Sequence, residues 1–103
     1  PLLVIDLVLA ELDYLLLQRL GPEAERAFVD QIVEGVFLRE PVETDDLGAA
    51  RQIAERYRDQ RVGLTDATMM AMADRLKCPV LTLDRRHFGL YRDKRGRPLT
   101  LLP

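Results

Sequence analysis

Short apolar runs of strand length alternate with segments of helical period along this chain, and that alternation confines it to an α/β sheet covered by helices. Leu2 to Ile5 is the first apolar run, and Asp6 stands where a helix N-cap is expected, ahead of a helix over residues 7–20. Gly21 stops that helix and Pro22 opens the next, over residues 23–33, with Ala24, Ala27, Phe28 and Ile32 at helical spacing and Gly35 closing it. VFLREPV (36–42) reads as a short strand whose far end Pro41 weakens. Thr44, Asp45 and Asp46 open a third helix to about residue 60, with Leu47, Ala50, Ile53, Ala54 and Tyr57 on one face. Thr65 or Asp66 starts a fourth, TDATMMAMADRLK. PVLTL (79–83) is the clearest strand, 85–92 a short helix or turn, and 99–102 a final strand. The strands are expected to be mostly parallel, and ligands of such sheets bind beyond the strands' carboxyl ends.

The 103 residues give room for one domain, 1–103, and at this length roughly 60–70% of the unfolded surface can be buried. A hydrophobic share of 48% beside 31% charged residues places the chain among globular proteins, so a core without disulfide staples is expected. No run of about 18 uncharged apolar residues occurs, so no membrane-spanning helix is expected. The apolar opening carries Asp6, Glu11 and Asp13 and lacks the basic start of a signal peptide. The lone Cys78 permits no internal disulfide, and a reducing, cytoplasmic setting is expected. The chain opens on Pro1, directly into an apolar run, and reads as N-terminally incomplete.

Charge is polarised along the chain. Residues 1–50 hold 11 acids against 3 bases, and residues 51–103 hold 12 bases against 6 acids. The basic half points to an anionic partner, although solvated helix faces read the same way.

Three acids invite attention. Asp84 follows PVLTL at the strand's carboxyl end, where an α/β fold places its chemistry, and it could equally cap the next helix. Asp66 opens the Met-rich helix, where an acid also complements the helix dipole by about 0.3–1 kcal/mol. Glu11 lies in LVLAELDYLLL, a helix apolar nearly all round and so expected to be buried, where a carboxylate is costly unless paired or bound to a cation. Asp13, about 200° further round the helix, competes with Glu11 for that role. Were Glu11, Asp66 and Asp84 to converge, their mutual repulsion would be relieved by a divalent cation, and hard Mg²⁺ or Mn²⁺ suits an all-oxygen donor set. Such an ion can activate water for phosphodiester hydrolysis. With one Cys and one His no zinc set exists, and no P-loop or GxGxxG is present.

The stretch LTDATMMAMADRLKCPVLTLDRRHF resembles the C-terminal signature of PIN domains, an Asp opening a helix, then an apolar strand, then T-x-D-x-x-x-F. LVLAELDYLLLQRLG resembles the family's Glu-bearing helix. The resemblance implies a three-layer α/β/α fold with a mostly parallel central sheet. It carries over Glu11, Asp66 and Asp84 as catalytic metal ligands, with Thr65 and Thr82 as supporting polar residues. It also implies a VapC-type toxin of a type II toxin–antitoxin system, a Mg²⁺- or Mn²⁺-dependent ribonuclease paired with a VapB-like antitoxin and with a second copy of itself. The family has a further metal-site Asp, at the end of its first strand and followed by Thr or Ser. Asp6 is followed by Leu7 and Val8 and stands five residues before Glu11, so it is not read as that residue. This chain is expected to lack that ligand and its strand.

The segment RRHFGLYRDKRGR (85–97) holds six Arg or Lys residues, and Arg85 and Arg86 are the best placed beside Asp84 to neutralise RNA phosphates. A solvated turn is the competing reading. Tyr91 and Phe88 could stack on bases, Phe88 fitting better in the core. His87 reads as a surface turn residue before an acid–base one. Cys78 reads as a small buried residue, and Met69, Met70 and Met72 as packing. Two further readings compete with the nuclease: a catalytically incompetent PIN module that binds or dimerises, and an unrelated α/β domain whose acids are all caps.

Overall fold

Ile5 is the hinge between the first strand and the first helix: its backbone is extended (φ −87°, ψ 152°) and the next residue is already helical. The structure is a computed structural model describing residues 2–82 and 85–102. The chain divides into two compact units, Pro1–Pro41 and Val42–Pro103.

The first unit runs β1 (Leu2–Ile5), α1 (Asp6–Leu20), α2 (Pro22–Val33) and β2 (Phe37–Glu40). β1 and β2 pair in parallel, Leu2 opposite Phe37 through Ile5 opposite Glu40. Gly21 adopts φ +94°, a conformation that favours glycine, and Pro22 takes the first position of α2, so the stop-and-start reading holds. Asp6 departs from expectation. It is the first helical residue rather than the cap, and its carboxylate is taken by Arg39 of β2, whose Nε and Nη2 donate at 3.0 and 3.1 Å. That partner is 33 residues away, and its guanidinium holds the Asp6 carboxyl below the usual carboxylate range.

The expectation that α1 is mostly buried is also overturned: none of its residues is fully buried, and Tyr14, Leu17 and Leu20 are exposed. Its observed neighbours in the unit are α2 and β1. A helix covered along only part of its circumference cannot hide an apolar surface that runs all the way round. Phe28 of α2 and Phe37 of β2 tie the unit together by a tilted ring contact, centroids 5.6 Å apart.

The second unit runs α3 (Thr44–Arg56), a 3₁₀ turn (Arg58–Gln60), α4 (Leu64–Leu76), β3 (Val80–Leu81), α5 (Arg85–Phe88) and β4 (Leu101–Leu102). Its core is Ala50, Ile53, Val62, Ala67, Met70, Ala71, Ala73, Val80, Phe88 and Tyr91. Met70 is fully buried, Met72 nearly so, and Met69 packs against the core from its edge, as the packing reading requires. α3 begins with a capping box in which Glu43 is the cap and Asp46 accepts from the Glu43 backbone N–H at 3.0 Å. Asp46 is buried and also receives Arg75 of α4 through Nε at 2.8 Å and Nη2 at 3.0 Å. α3 and α4 are thus joined by a bidentate ion pair as well as by apolar contact.

β3 and β4 pair in parallel, Val80 opposite Leu101 and Leu81 opposite Leu102, and the Thr82 N–H extends the ladder to the Leu102 carbonyl. The α/β class and parallel pairing are as expected. Among the described residues the strands form two separate two-stranded sheets.

The basic segment is an ordered turn. Asp93 accepts from the backbone N–H groups of Arg95 and Arg97, each at 2.9 Å, and Arg92 donates to the carbonyls of Gly89 and Tyr91. Tyr91 is buried, which removes it as a stacking platform. Its hydroxyl donates to Asp74 at 2.6 Å, and the Arg56 guanidinium lies over the rings of both Tyr57 and Tyr91. Burial, and then Asp74, pushes the Tyr91 hydroxyl up to about 12, while the Tyr91 hydrogen bond holds Asp74 below the usual carboxylate range. Phe88 is buried in the same core, so it too is unavailable for stacking.

Candidate metal centre

Asp66 enters through the start of α4. Gly63 caps the helix with extended backbone and no side-chain hydrogen bond, and Leu64, Thr65 and Asp66 form the first turn. An acid there is favoured by the unsatisfied N–H groups of the helix start. Thr65 is half-buried beside it, and the Asp66 side chain is 35% exposed, enough to meet a ligand from solvent.

The structure brings His87 to Asp66: the imidazole Nδ1 lies 3.4 Å from Asp66 Oδ2, with the His87 side chain only 21% exposed. The reading of His87 as a surface turn residue is therefore corrected. The contact follows from how α5 is held. Phe88 is in the core, and the Gly89 N–H closes the single turn on the Arg85 carbonyl at 2.9 Å. A Cβ at Gly89 would stand 2.6 Å from that same carbonyl oxygen, so glycine is required for the turn to close as it does. The only sequence signal was the HFG triplet following the acid of the T-x-D motif, a buried anchor and a glycine stop flanking a helix too short to show a period. Among the described residues Asp66 Oδ1 has no hydrogen-bond partner, which leaves one oxygen of the carboxylate available to a cation.

Asp84 lies outside the described residues. Its neighbours bracket it: Thr82, half-buried, ends the β3 ladder, and Arg85 opens α5, with Arg85 and Arg86 both exposed. Glu11 lies in the first unit, near the middle of α1, and is exposed. The expectation of a buried Glu11 is thus corrected, for the same reason that α1 as a whole is not enclosed. Asp13, the competing acid, is half-buried, and its carboxylate near Glu25 of α2 raises the Glu25 carboxyl above its ordinary range. Among the described residues no group of three His, Cys, Asp or Glu side chains is assembled to hold a metal ion.

The donors that the sequence nominates are all carboxylate oxygens, a set that fits Mg²⁺ or Mn²⁺ and not a thiophilic ion. Cys78 is half-buried, with its thiol directed to the Leu76 carbonyl at 3.6 Å, a local contact within the helix end.

Comparison with known proteins adds two findings. The family model described as the PIN domain matches residues 1–93. Ribonuclease VapC26 of Mycobacterium tuberculosis (strain ATCC 25618 / H37Rv) is 38% identical over 103 residues, covering 99% of this chain and 76% of the relative.

Proposed function

The chain belongs to the PIN-domain family, and on that premise we propose that it is a VapC-type toxin, an endoribonuclease that hydrolyses RNA phosphodiester bonds with a divalent metal. The observation that carries this reading is the 38% identity to a protein named a ribonuclease, spread over 99% of the chain. The T-x-D motif and the Glu-bearing helix fall within it.

In this reading Glu11, Asp66 and Asp84 supply carboxylate ligands to Mg²⁺ or Mn²⁺. When bound, the ion supplies an activated water and neutralises charge at the scissile phosphate. Asp66 would offer the oxygen that His87 leaves open. Thr65 and Thr82 support the acids on either side. Arg85 and Arg86, exposed at the start of α5, would hold RNA phosphates, giving binding that weakens as salt rises. A VapB-like antitoxin and a second copy of the chain are the protein partners. The exposed Tyr14, Leu17, Leu20, Val29 and Val33 of α1 and α2 offer apolar surface for such a partner. No helix among the described residues is long and apolar enough to cross a membrane, and a toxin that cleaves RNA belongs in the cytoplasm.

One observation favours a second reading, a PIN module that binds without cleaving: Glu11 is exposed on α1. Cleavage of an end-labelled RNA separates the two. The nuclease reading expects cleavage in Mn²⁺ or Mg²⁺, abolition by EDTA and recovery on adding excess metal. RNA binding with no metal-stimulated cleavage would replace it with the module.

A further inference from the structure

We infer that His87 is a positioning residue for the metal site: its Nδ1–H holds Asp66 Oδ2 and so aims the opposite carboxylate oxygen at the cation. The inference rests on the metal-dependent reading above and adds to it a residue that the three acids do not include.

Three observations converge on this role. The His87 Nδ1 to Asp66 Oδ2 separation is 3.4 Å, long for a hydrogen bond but within reach, and the acceptor has no competing partner among the described residues. The imidazole is largely covered while Asp66 stays open to solvent, so the pair has a protected side and a ligand side. The His87 backbone is fixed from both directions, by Phe88 in the core and by the turn that only glycine at position 89 allows. A carboxylate at a helix start otherwise rotates about χ2 with little resistance. Pinning one oxygen removes that freedom before a cation arrives. Groups that hydrogen-bond a metal ligand from behind typically change metal affinity by about 10–100-fold when removed.

Nδ1 must carry a proton to donate to a carboxylate, which leaves Nε2 directed away from Asp66.

The test uses the whole chain as it stands, with Mn²⁺ alone as the probe. Binding is measured by titration calorimetry for the unsubstituted protein, His87→Ala and His87→Asn, with metal-free thermal unfolding run on each. Asn places an N–H donor close to the position of Nδ1. The expected result is a loss of Mn²⁺ affinity of about 10-fold or more in His87→Ala, recovered to within about threefold in His87→Asn, with the metal-free unfolding midpoints alike. Equal Mn²⁺ affinity in all three proteins overturns the inference and leaves the metal reading intact. Equal losses in the Ala and Asn variants also overturn it, because packing rather than the donor would then be responsible. Absence of Mn²⁺ binding by the unsubstituted protein overturns the metal reading, and the inference with it.

Discussion

Replacing Asp66 or Asp84 by Asn is expected to lower metal-stimulated RNA cleavage by at least about 100-fold, at Asp66 without unfolding the protein. Asn keeps the shape of the side chain and removes the anionic donor that a hard cation requires. Loss of an outer hydrogen-bond partner alone typically costs about 10–100-fold in affinity or activity, and loss of a direct ligand exceeds that. The fold is expected to tolerate the change at Asp66, because its side chain is 35% exposed and its one partner among the described residues is His87. The favourable placement of an acid in the first turn of α4 is worth only about 0.3–1 kcal/mol. Cleavage rates at saturating Mn²⁺, set beside thermal unfolding, check both halves. Variants that cleave within threefold of the parent would remove these acids from the chemistry.

The largest expected stability effect lies elsewhere, at Asp46. This carboxylate is buried, receives two hydrogen bonds from Arg75 and one from the Glu43 backbone, and so serves α3 as a cap and the α3–α4 pair as a clasp. Removing one member of a buried ion pair costs about 3–5 kcal/mol. The Arg75 side chain is 45% exposed and can regain water, which favours the low end. With the capping contact included, Asp46→Ala is expected to cost about 3 kcal/mol in urea unfolding. Asp46→Asn should recover part of it, since an amide oxygen still accepts from Glu43. The pair also fixes a pH dependence. The Arg75 hydrogen bonds hold the Asp46 carboxyl below its ordinary range, with the Glu43 backbone N–H assisting. A carboxyl lowered in the folded state contributes its stability above the unfolded value, near 3.9, and loses it as pH falls through the folded value. Acid unfolding below about pH 4 should therefore be blunted in Asp46→Ala relative to the parent. A variant within about 0.5 kcal/mol of the parent would show that the clasp contributes little net free energy.

Local rules read the chain well where the deciding partner is local. Leu2–Ile5, the Gly21–Pro22 junction and the opening of α3 fall where apolar runs, glycine stops and caps place them. Asp6 escapes local rules because its deciding partner, Arg39, is 33 residues away on β2. Glu11 was expected to be buried because periodicity reports how apolar a helix is and not how much of it is covered. PVLTL promised a five-residue strand. Among the described residues its ladder is Val80–Leu81, and Leu83 lies outside them. The reading of His87 as a surface turn residue misses its contact at the site. A four-residue helix has no period, and the contact with Asp66 spans 21 positions, so only three-dimensional structure reveals it. The family motif nominates Asp66 and Asp84 as ligands from residue type and order, where caps and ligands look the same in isolation.

The proposal that matters most is that Glu11, exposed on α1, serves the same metal as Asp66 and Asp84. Mn²⁺ titration calorimetry on the parent, Glu11→Gln, Asp66→Asn and Asp84→Asn tests it most directly. The account expects one Mn²⁺ site of shared origin, weakened by at least about 10-fold in each of the three variants. Undiminished binding in Glu11→Gln beside loss in Asp66→Asn would contradict it, and would leave Glu11 as a solvated residue of a helix that merely carries the family's pattern.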